Sequence, residues 1–146
     1  MLPVLISDTD ESELIIQDLA SKLGLDLLIR GAEEKESQLA NDQYYLVRGK
    51  EKSHLQIGLK GKQKPILCNF TEWANNKKKS NLLRCMKGLP LDCSVIDATA
   101  GFGRDALELA TVSNSVVLIE RVPWLHYLLQ DGIKNSTEGY VLSLVS

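Results

Sequence analysis

The feature that most constrains the fold is a short apolar run that ends in an acid and is followed by two closely spaced glycines. The run 95–96 precedes Asp97, and Gly101 and Gly103 follow with one residue between them. Good helix formers then occupy most of 104–110. This order predicts a strand, a tight turn and the start of a helix. Glycine at the turn tolerates positive φ and lets the backbone approach a ligand closely.

A second apolar run, 115–119, ends in Glu120, seventeen residues after Gly103. In nucleotide-binding α/β folds, an acid at the end of the second parallel strand holds the hydroxyls of a ribose. The two runs therefore predict part of a doubly wound, Rossmann-like α/β sheet. Its ligand site is expected at the carboxyl ends of the strands.

Two classes of ligand fit this turn. Residues 101–106 match the G-x-G-x-x-G/A pattern of dinucleotide-binding folds. Residues 97–103 match the acid-x-G-x-G-x-G pattern of S-adenosylmethionine methyltransferases, with Thr99 in place of the first glycine. The Asp97 carboxylate would repel a pyrophosphate and attract the ammonium and sulfonium groups of S-adenosylmethionine. The charge favours S-adenosylmethionine, and the alternatives are an NAD-dependent oxidoreductase and an ordinary glycine turn without a ligand.

Three segments extend this pattern into a family resemblance. They are 95–106, which contains the run D-A-T-A-G-F-G-R-D-A, then 118–121 and 128–132. Together they closely resemble the bacterial ribosomal RNA small subunit methyltransferase J family, which methylates the N2 amine of a guanine in 16S ribosomal RNA. A weaker likeness covers the opening strand at 5–8. The resemblance spans most of the chain and is dense from Val95 to Gly132.

The resemblance implies an activity, a cofactor, a partner and a set of site residues. It implies methyl transfer from S-adenosylmethionine to small-subunit ribosomal RNA, either free or in a ribosomal particle. Asp97, Gly101 and Gly103 would hold the methionine end of the cofactor. Glu120 would hold the ribose hydroxyls. The implied cofactor-binding residues are Asp97, Thr99, Gly101, Gly103, Arg104, Asp105, Glu120 and Arg121.

The N-terminal part of the chain has a different pattern. A strand is predicted at 4–6, followed by a helix that Gly24 ends. The predicted inner face of that helix consists of Ile15, Ile16, Leu19 and Leu23. Polar turns then separate strand-like runs at 44–47, 54–59 and 65–70. This alternation is typical of an antiparallel meander.

We therefore predict an N-terminal α+β subdomain over 1–76 and an incomplete Rossmann-like class I methyltransferase domain over 77–146. An exocyclic guanine amine is a poor nucleophile and needs oriented acceptors. Enzymes of the resembled kind carry a D/N-P-x-[FY]-like motif for this purpose, and the chain has none. The 26 residues after Glu120 leave room for one more strand. The catalytic residue therefore remains unknown.

A truncated gene product, a frameshift and a fragment would each explain the expected incompleteness equally well. An alternative function is a remnant that binds cofactor or RNA without turnover. An uncovered apolar sheet edge pairs readily with other chains, so self-association is also expected.

Composition bears on partners and location. The net charge of −2 gives no overall attraction for RNA, so any RNA contact would be local. Trp73, close to the lysines at 77–79, is either a stacking platform beside phosphate contacts or a buried anchor.

No apolar run approaches the ~20 residues of a membrane span, and no signal peptide is recognisable. The three cysteines lack C-x-x-C spacing, and His54 and His126 are isolated. A cytosolic protein without a metal or a membrane partner is therefore expected.

Overall fold

The structure, a computed structural model, describes residues 2–7, 13–29, 39, 42–48, 55–61, 63–75, 81–90, 92–136, 139 and 141–145. The chain divides into two compact units, Met1–Leu67 and Cys68–Ser146. The division falls after Leu67, whereas the sequence pattern placed it after Asn76. The helix that begins at Phe70 packs within the second unit, which accounts for the earlier boundary. His54 and the lysines at 77–79 lie outside the described residues.

The described residues of the first unit form one mixed sheet and one helix. In chain order its elements are β1 (Val4–Ser7), α1 (Glu13–Leu23), β2 (Leu27–Ile29), β3 (Tyr44–Arg48), β4 (Leu55–Leu59) and β5 (Gln63–Ile66). The strand order is β2-β1-β3-β4-β5. The strand β1 runs parallel to both of its neighbours, and β3, β4 and β5 pair antiparallel. The predicted meander is therefore present.

The buried stripe of α1 differs from the predicted one. Ile16, Ala20 and Leu23 are buried, at intervals of four and three residues, as one face of a helix requires. Ile15 is 58% exposed, so its assignment to the inner face was wrong. It lies one residue, or about 100°, away from the buried stripe. Gly24, with φ of 63°, follows the helix as predicted.

The sheet of the first unit is packed around Tyr45. This ring forms a buried cluster with Ile6 and Leu39. Gly58 lies opposite Tyr45 on the neighbouring strand, and a Cβ at Gly58 would lie 2.4 Å from the Tyr45 Cζ. The glycine inside β4 therefore leaves the space that the ring occupies.

The second unit alternates strands and helices after two short helices. Its elements are α2 (Phe70–Asn75), α3 (Leu82–Cys85), β6 (Ser94–Asp97), α4 (Arg104–Ala110), β7 (Ser115–Ile119), α5 (Pro123–Lys134) and β8 (Leu142–Val145). The three strands within the described ranges are parallel in the order β6-β7-β8. This is the strand-helix-strand arrangement expected of a doubly wound fold. It brings the carboxyl ends of β6 and β7 to one edge.

Pro123 begins α5, where its missing N–H costs no helical hydrogen bond. The strand expected over 65–70 instead ends at Ile66. Phe70 is the first residue of α2 and is buried. The apolar character of this stretch thus reflects the packing of a helix start rather than a longer strand.

Candidate functional site

The turn between β6 and α4 is shaped by two residues with positive φ. Gly101 has φ of 54° and Gly103 has φ of 81°. The Gly103 N–H donates to the Ala100 carbonyl at 2.8 Å, which closes the turn. The Ala100 N–H donates to the Ile119 carbonyl at 3.1 Å. The turn is therefore attached to the carboxyl end of β7.

The two glycines of the turn serve different physical needs. A Cβ at Gly103 would lie 2.7 Å from the Leu129 Cδ1 and 2.8 Å from the Phe70 Cζ, so a side chain there would clash. A Cβ at Gly101 would meet only the Thr99 carbonyl oxygen, at 3.8 Å. Gly103 thus allows close packing of protein groups. Gly101 borders open space, where a ligand could approach the backbone.

Asp97 ends β6 and shapes the first part of the turn. Its Oδ1 accepts a hydrogen bond from the Thr99 N–H at 3.1 Å, the arrangement by which aspartate stabilises local turns. Asp97 is half-buried, and Thr99 is exposed. The predicted pair is therefore brought together by a direct contact. In the structure, Thr99 contributes its backbone N–H to this turn. The sequence showed only that Thr99 stands in place of the first glycine of the motif.

Glu120 directly follows β7 and is buried, with 8% of its surface exposed. Its Oε2 accepts the Gly101 N–H at 3.0 Å. Its Oε1 accepts the Val122 N–H at 2.8 Å. One carboxylate therefore bridges the glycine turn and the residue that precedes α5. A carboxylate has about four acceptor positions, so these two bonds leave capacity for hydroxyl donors.

The remaining predicted site residues are exposed: Arg104, Asp105 and Arg121. The Arg104 guanidinium carbon lies 4.9 Å from the centre of the Trp73 ring, within the range of a cation–π contact. Trp73 in turn packs against Phe70, with ring centres 5.6 Å apart. Trp73 is half-buried, so it is neither a fully buried anchor nor a bare stacking platform. Arg104 therefore connects the start of α4 to α2.

The run 130–132, which contributed to the resemblance, has a packing role in α5. A Cβ on Gly132 would lie 2.4 Å from the Cys68 Cβ, so the helix contacts this segment directly. Burial raises the pKa of the Cys68 thiol from 9.0 to about 12, and the nearby Asp131 carboxylate contributes to the rise. Cys68 is thus a neutral thiol at ordinary pH.

Three residues of this region were not identified from the sequence, namely Phe70, Val122 and Leu129. Phe70 and Leu129 are far from the turn along the chain, and no local pattern marks them as its neighbours. Val122 contributes only a backbone N–H, which any residue except proline would supply.

The charges and hydrogen-bond acceptors at this edge of the sheet fit S-adenosylmethionine. The Asp97 carboxylate suits a cationic methionine end, Gly101 leaves the backbone accessible, and the Glu120 carboxylate can accept ribose hydroxyls. Within the described ranges, no three His, Cys, Asp or Glu side chains are grouped as a metal ion would require. Nor is any described helix both long and apolar enough to cross a membrane.

The sequence and the fold match known methyltransferases. The profile of a family described as "Putative SAM-dependent methyltransferase" matches residues 32–143. A crystal structure of a SAM-dependent methyltransferase from Neisseria gonorrhoeae superposes with a TM-score of 0.69 and 23% identity. The alignment covers 97% of this chain and 58% of that one. The α/β, class I methyltransferase-like fold predicted from the sequence is thereby confirmed.

Curated relatives agree with this match. "Ribosomal RNA small subunit methyltransferase J" of Chromohalobacter salexigens is 34% identical over 126 residues, which is 81% of this chain and 46% of the relative. The protein of the same name from Alcanivorax borkumensis is 31% identical over 121 residues, 76% of this chain and 49% of the relative. That from Histophilus somni is 58% identical over 43 residues, 30% of this chain and 17% of the relative. The chain thus spans at most about half the length of these relatives.

The fold and the profile define the class, that of S-adenosylmethionine-dependent methyltransferases. The chain belongs to the SAM-dependent methyltransferase family whose profile covers residues 32–143. The methyltransferase J resemblance found in the sequence is confirmed by the curated relatives, and S-adenosylmethionine is confirmed as the cofactor of the family.

Proposed function

We propose that this chain forms the cofactor-binding part of a methyltransferase that acts on the N2 amine of a guanine in small-subunit ribosomal RNA. The observation that carries the cofactor part is the meeting of Asp97, Gly101 and Glu120 at the carboxyl ends of two parallel strands. The names of the curated relatives support ribosomal RNA as the substrate. The choice of the guanine N2 amine rests on the sequence resemblance.

Each residue at this edge has a distinct proposed role. Asp97 attracts the positively charged methionine end, and Gly101 allows that end to approach the backbone. Glu120 accepts the two ribose hydroxyls through its remaining acceptor positions. Thr99, Gly103, Arg104, Asp105 and Arg121 complete the proposed cofactor-binding set by shaping or bordering the turn. The bound cofactor supplies an activated methyl group, and these residues orient it.

The cofactor assignment is tested by ligand-induced stabilisation. S-Adenosylhomocysteine should raise the melting temperature, because a ligand that binds only the folded state stabilises it, whereas NADH should not. Asp97→Asn should weaken S-adenosylhomocysteine binding by roughly tenfold, about 1.4 kcal/mol, as measured by calorimetry. Asp92→Asn, at an exposed acid outside the turn, is the matched control. Stabilisation by NADH alone would overturn the assignment.

The substrate assignment requires a separate experiment. The protein is incubated with labelled S-adenosylmethionine and either small-subunit particles or naked ribosomal RNA, and the RNA is digested to nucleosides. Any label that this chain transfers is expected in N2-methylguanosine. A label on another nucleoside would contradict the proposed target. Cofactor binding without any label would instead make this chain a cofactor-binding module without turnover.

A further inference from the structure

We propose that Glu120 is a positioning residue that fixes the glycine turn and the start of α5, in addition to its role as a ribose acceptor. The ribose part of this proposal rests on the proposed function. The positioning part rests on the contacts of the protein alone. The two parts predict different responses to the same substitutions.

The hydrogen bonds of Glu120 join segments that are separate along the chain. The Gly101 N–H belongs to the turn after β6, and the Val122 N–H belongs to the residue that precedes α5. Glu120 itself directly follows β7 and lies between them along the chain. Its side chain therefore adds a connection that the parallel pairing of β6 and β7 does not provide.

The burial of Glu120 makes this connection strong. Only 8% of the residue is exposed, and a buried carboxylate is costly unless hydrogen-bond donors surround it. Backbone N–H groups that donate to an ionised carboxylate form stronger bonds than those to neutral acceptors. Loss of the carboxylate would leave two N–H groups in a half-buried region without these acceptors.

The hydrogen bond from the Gly101 N–H to Glu120 holds Gly101 in place, whereas the bond between the turn and β7 is made one residue earlier, at Ala100. The Ala100 N–H donates to the Ile119 carbonyl and would remain after any change at Glu120. Gly101 would then keep its positive φ of 54° without a hydrogen bond from its own N–H to Glu120. Glycine has wide conformational freedom, so the turn would sample other conformations. The space beside Gly101, where the methionine end is proposed to lie, would lose its fixed shape.

Ligand binding separates the two roles through a thermodynamic cycle. The affinities of S-adenosylhomocysteine and its 2′,3′-dideoxy analogue are measured by calorimetry for the natural protein, Glu120→Gln and Glu120→Ala. Asp92→Asn is the control. If Glu120 acted only on the ribose, the dideoxy analogue would bind all of these proteins equally. We expect Glu120→Ala to weaken S-adenosylhomocysteine by roughly tenfold or more and the analogue by roughly threefold or more.

Amide hydrogen exchange tests the positioning role without any ligand. Exchange at Gly101 and Val122 should become roughly tenfold faster or more in Glu120→Ala, and at least one of these two amides should do so in Glu120→Gln. The Val116 amide, which donates to the Val141 carbonyl, is the internal reference. Glu120→Gln retains one acceptor oxygen, so it provides the measurement if Glu120→Ala does not fold.

Unchanged exchange at both amides, or unchanged affinity for the dideoxy analogue, would overturn the positioning role and leave the proposed cofactor site intact. Failure of the natural protein to bind S-adenosylhomocysteine would overturn the proposed function. In that case the exchange experiment still decides the positioning role.

Discussion

At the scale of single residues, the two glycines of the turn predict unequal effects of the same substitution. Gly103→Ala places a methyl group against Leu129 and Phe70 and also imposes positive φ on a residue with a side chain. We expect a loss of about 2–5 kcal/mol in the free energy of unfolding. Gly101→Ala meets open space and should cost about 1–2 kcal/mol. Urea denaturation of both variants measures the difference, and equal losses would contradict the packing role of Gly103.

A second residue-scale prediction concerns the chemistry of Cys68. Its pKa is raised by burial to about 12, so the folded protein holds it as a neutral thiol. At pH 8, a thiol reagent should modify the exposed Cys85 and leave Cys68 unmodified until the protein unfolds. Mass spectrometry of labelled peptides distinguishes the two. Rapid labelling of Cys68 in the folded protein would show that its surroundings are open.

The same raised pKa predicts how stability depends on pH. The neutral thiol is favoured in the folded state, so the contribution of Cys68 is fully present below pH 9.0 and is lost as pH rises through about 12. The interval between the two pKa values corresponds to at most about 4 kcal/mol. Cys68→Ala should flatten the fall in the free energy of unfolding between these pH values. An equally steep fall in the variant would assign it to other groups.

At this scale, the positions of residues in the fold were easier to predict from the sequence than the bonds between them. Asp97 ends β6, Gly101 lies in the turn that follows and Glu120 directly follows β7, because a motif fixes their order along the chain. The engagement of both Glu120 oxygens by backbone N–H groups was not foreseen. A residue type shows that an acceptor is present, whereas the direction of a neighbouring N–H depends on the folded turn.

At the scale of secondary-structure elements, the contact between α5 and the segment before α2 predicts an effect of adding one methyl group. Gly132→Ala would place its Cβ 2.4 Å from the Cys68 Cβ and 2.5 Å from the Cys68 carbonyl oxygen. The backbone and the buried side chain of Cys68 cannot move easily to make room, so we expect a loss of about 1–3 kcal/mol in the free energy of unfolding. Gly139→Ala, which would meet nothing within 4 Å, should be nearly neutral. Thermal denaturation compares the pair, and equal melting temperatures would contradict the close helix packing.

Elements were predictable from the sequence where periodicity was strong. The strand-turn-helix at 94–110 and the meander in the first unit follow directly from apolar runs and polar turns. The inner face of α1 was shifted by one residue at Ile15, because three consecutive apolar residues at 14–16 permit more than one stripe. Phe70 was placed in a strand because a short apolar run does not distinguish a strand from the start of a helix.

At the scale of the whole molecule, the alternation of apolar runs and helix-forming stretches along the chain is sufficient to predict the fold class of the second unit. The division into units was harder to place, since α2 joins the second unit through Phe70 and through the contact of Trp73 with Arg104. These contacts join residues that are far apart along the chain. Local composition therefore indicated a boundary region but not its position.

In the described sheet, β6 pairs only with β7, and Ile96 on β6 is 67% exposed. We predict that two copies of the chain associate through this edge. An antiparallel, two-fold pairing of β6 centred on Ile96 would place Ile96 opposite its copy and Val95 opposite Asp97, without opposing like charges. Sheet edges that expose apolar residues favour such pairing, and lysine at an edge prevents it.

Ile96→Lys should therefore weaken self-association by roughly tenfold or more, since each association would bring two ammonium groups opposite each other at this edge. Leu14→Lys, at an apolar position that is 77% exposed on α1, is the matched control for added charge. Sedimentation velocity over a range of concentrations measures both variants beside the natural protein. A natural chain that stays monomeric, or an equal effect of the two substitutions, would contradict pairing through β6. A selective effect of Ile96→Lys would identify β6 as the edge at which copies meet.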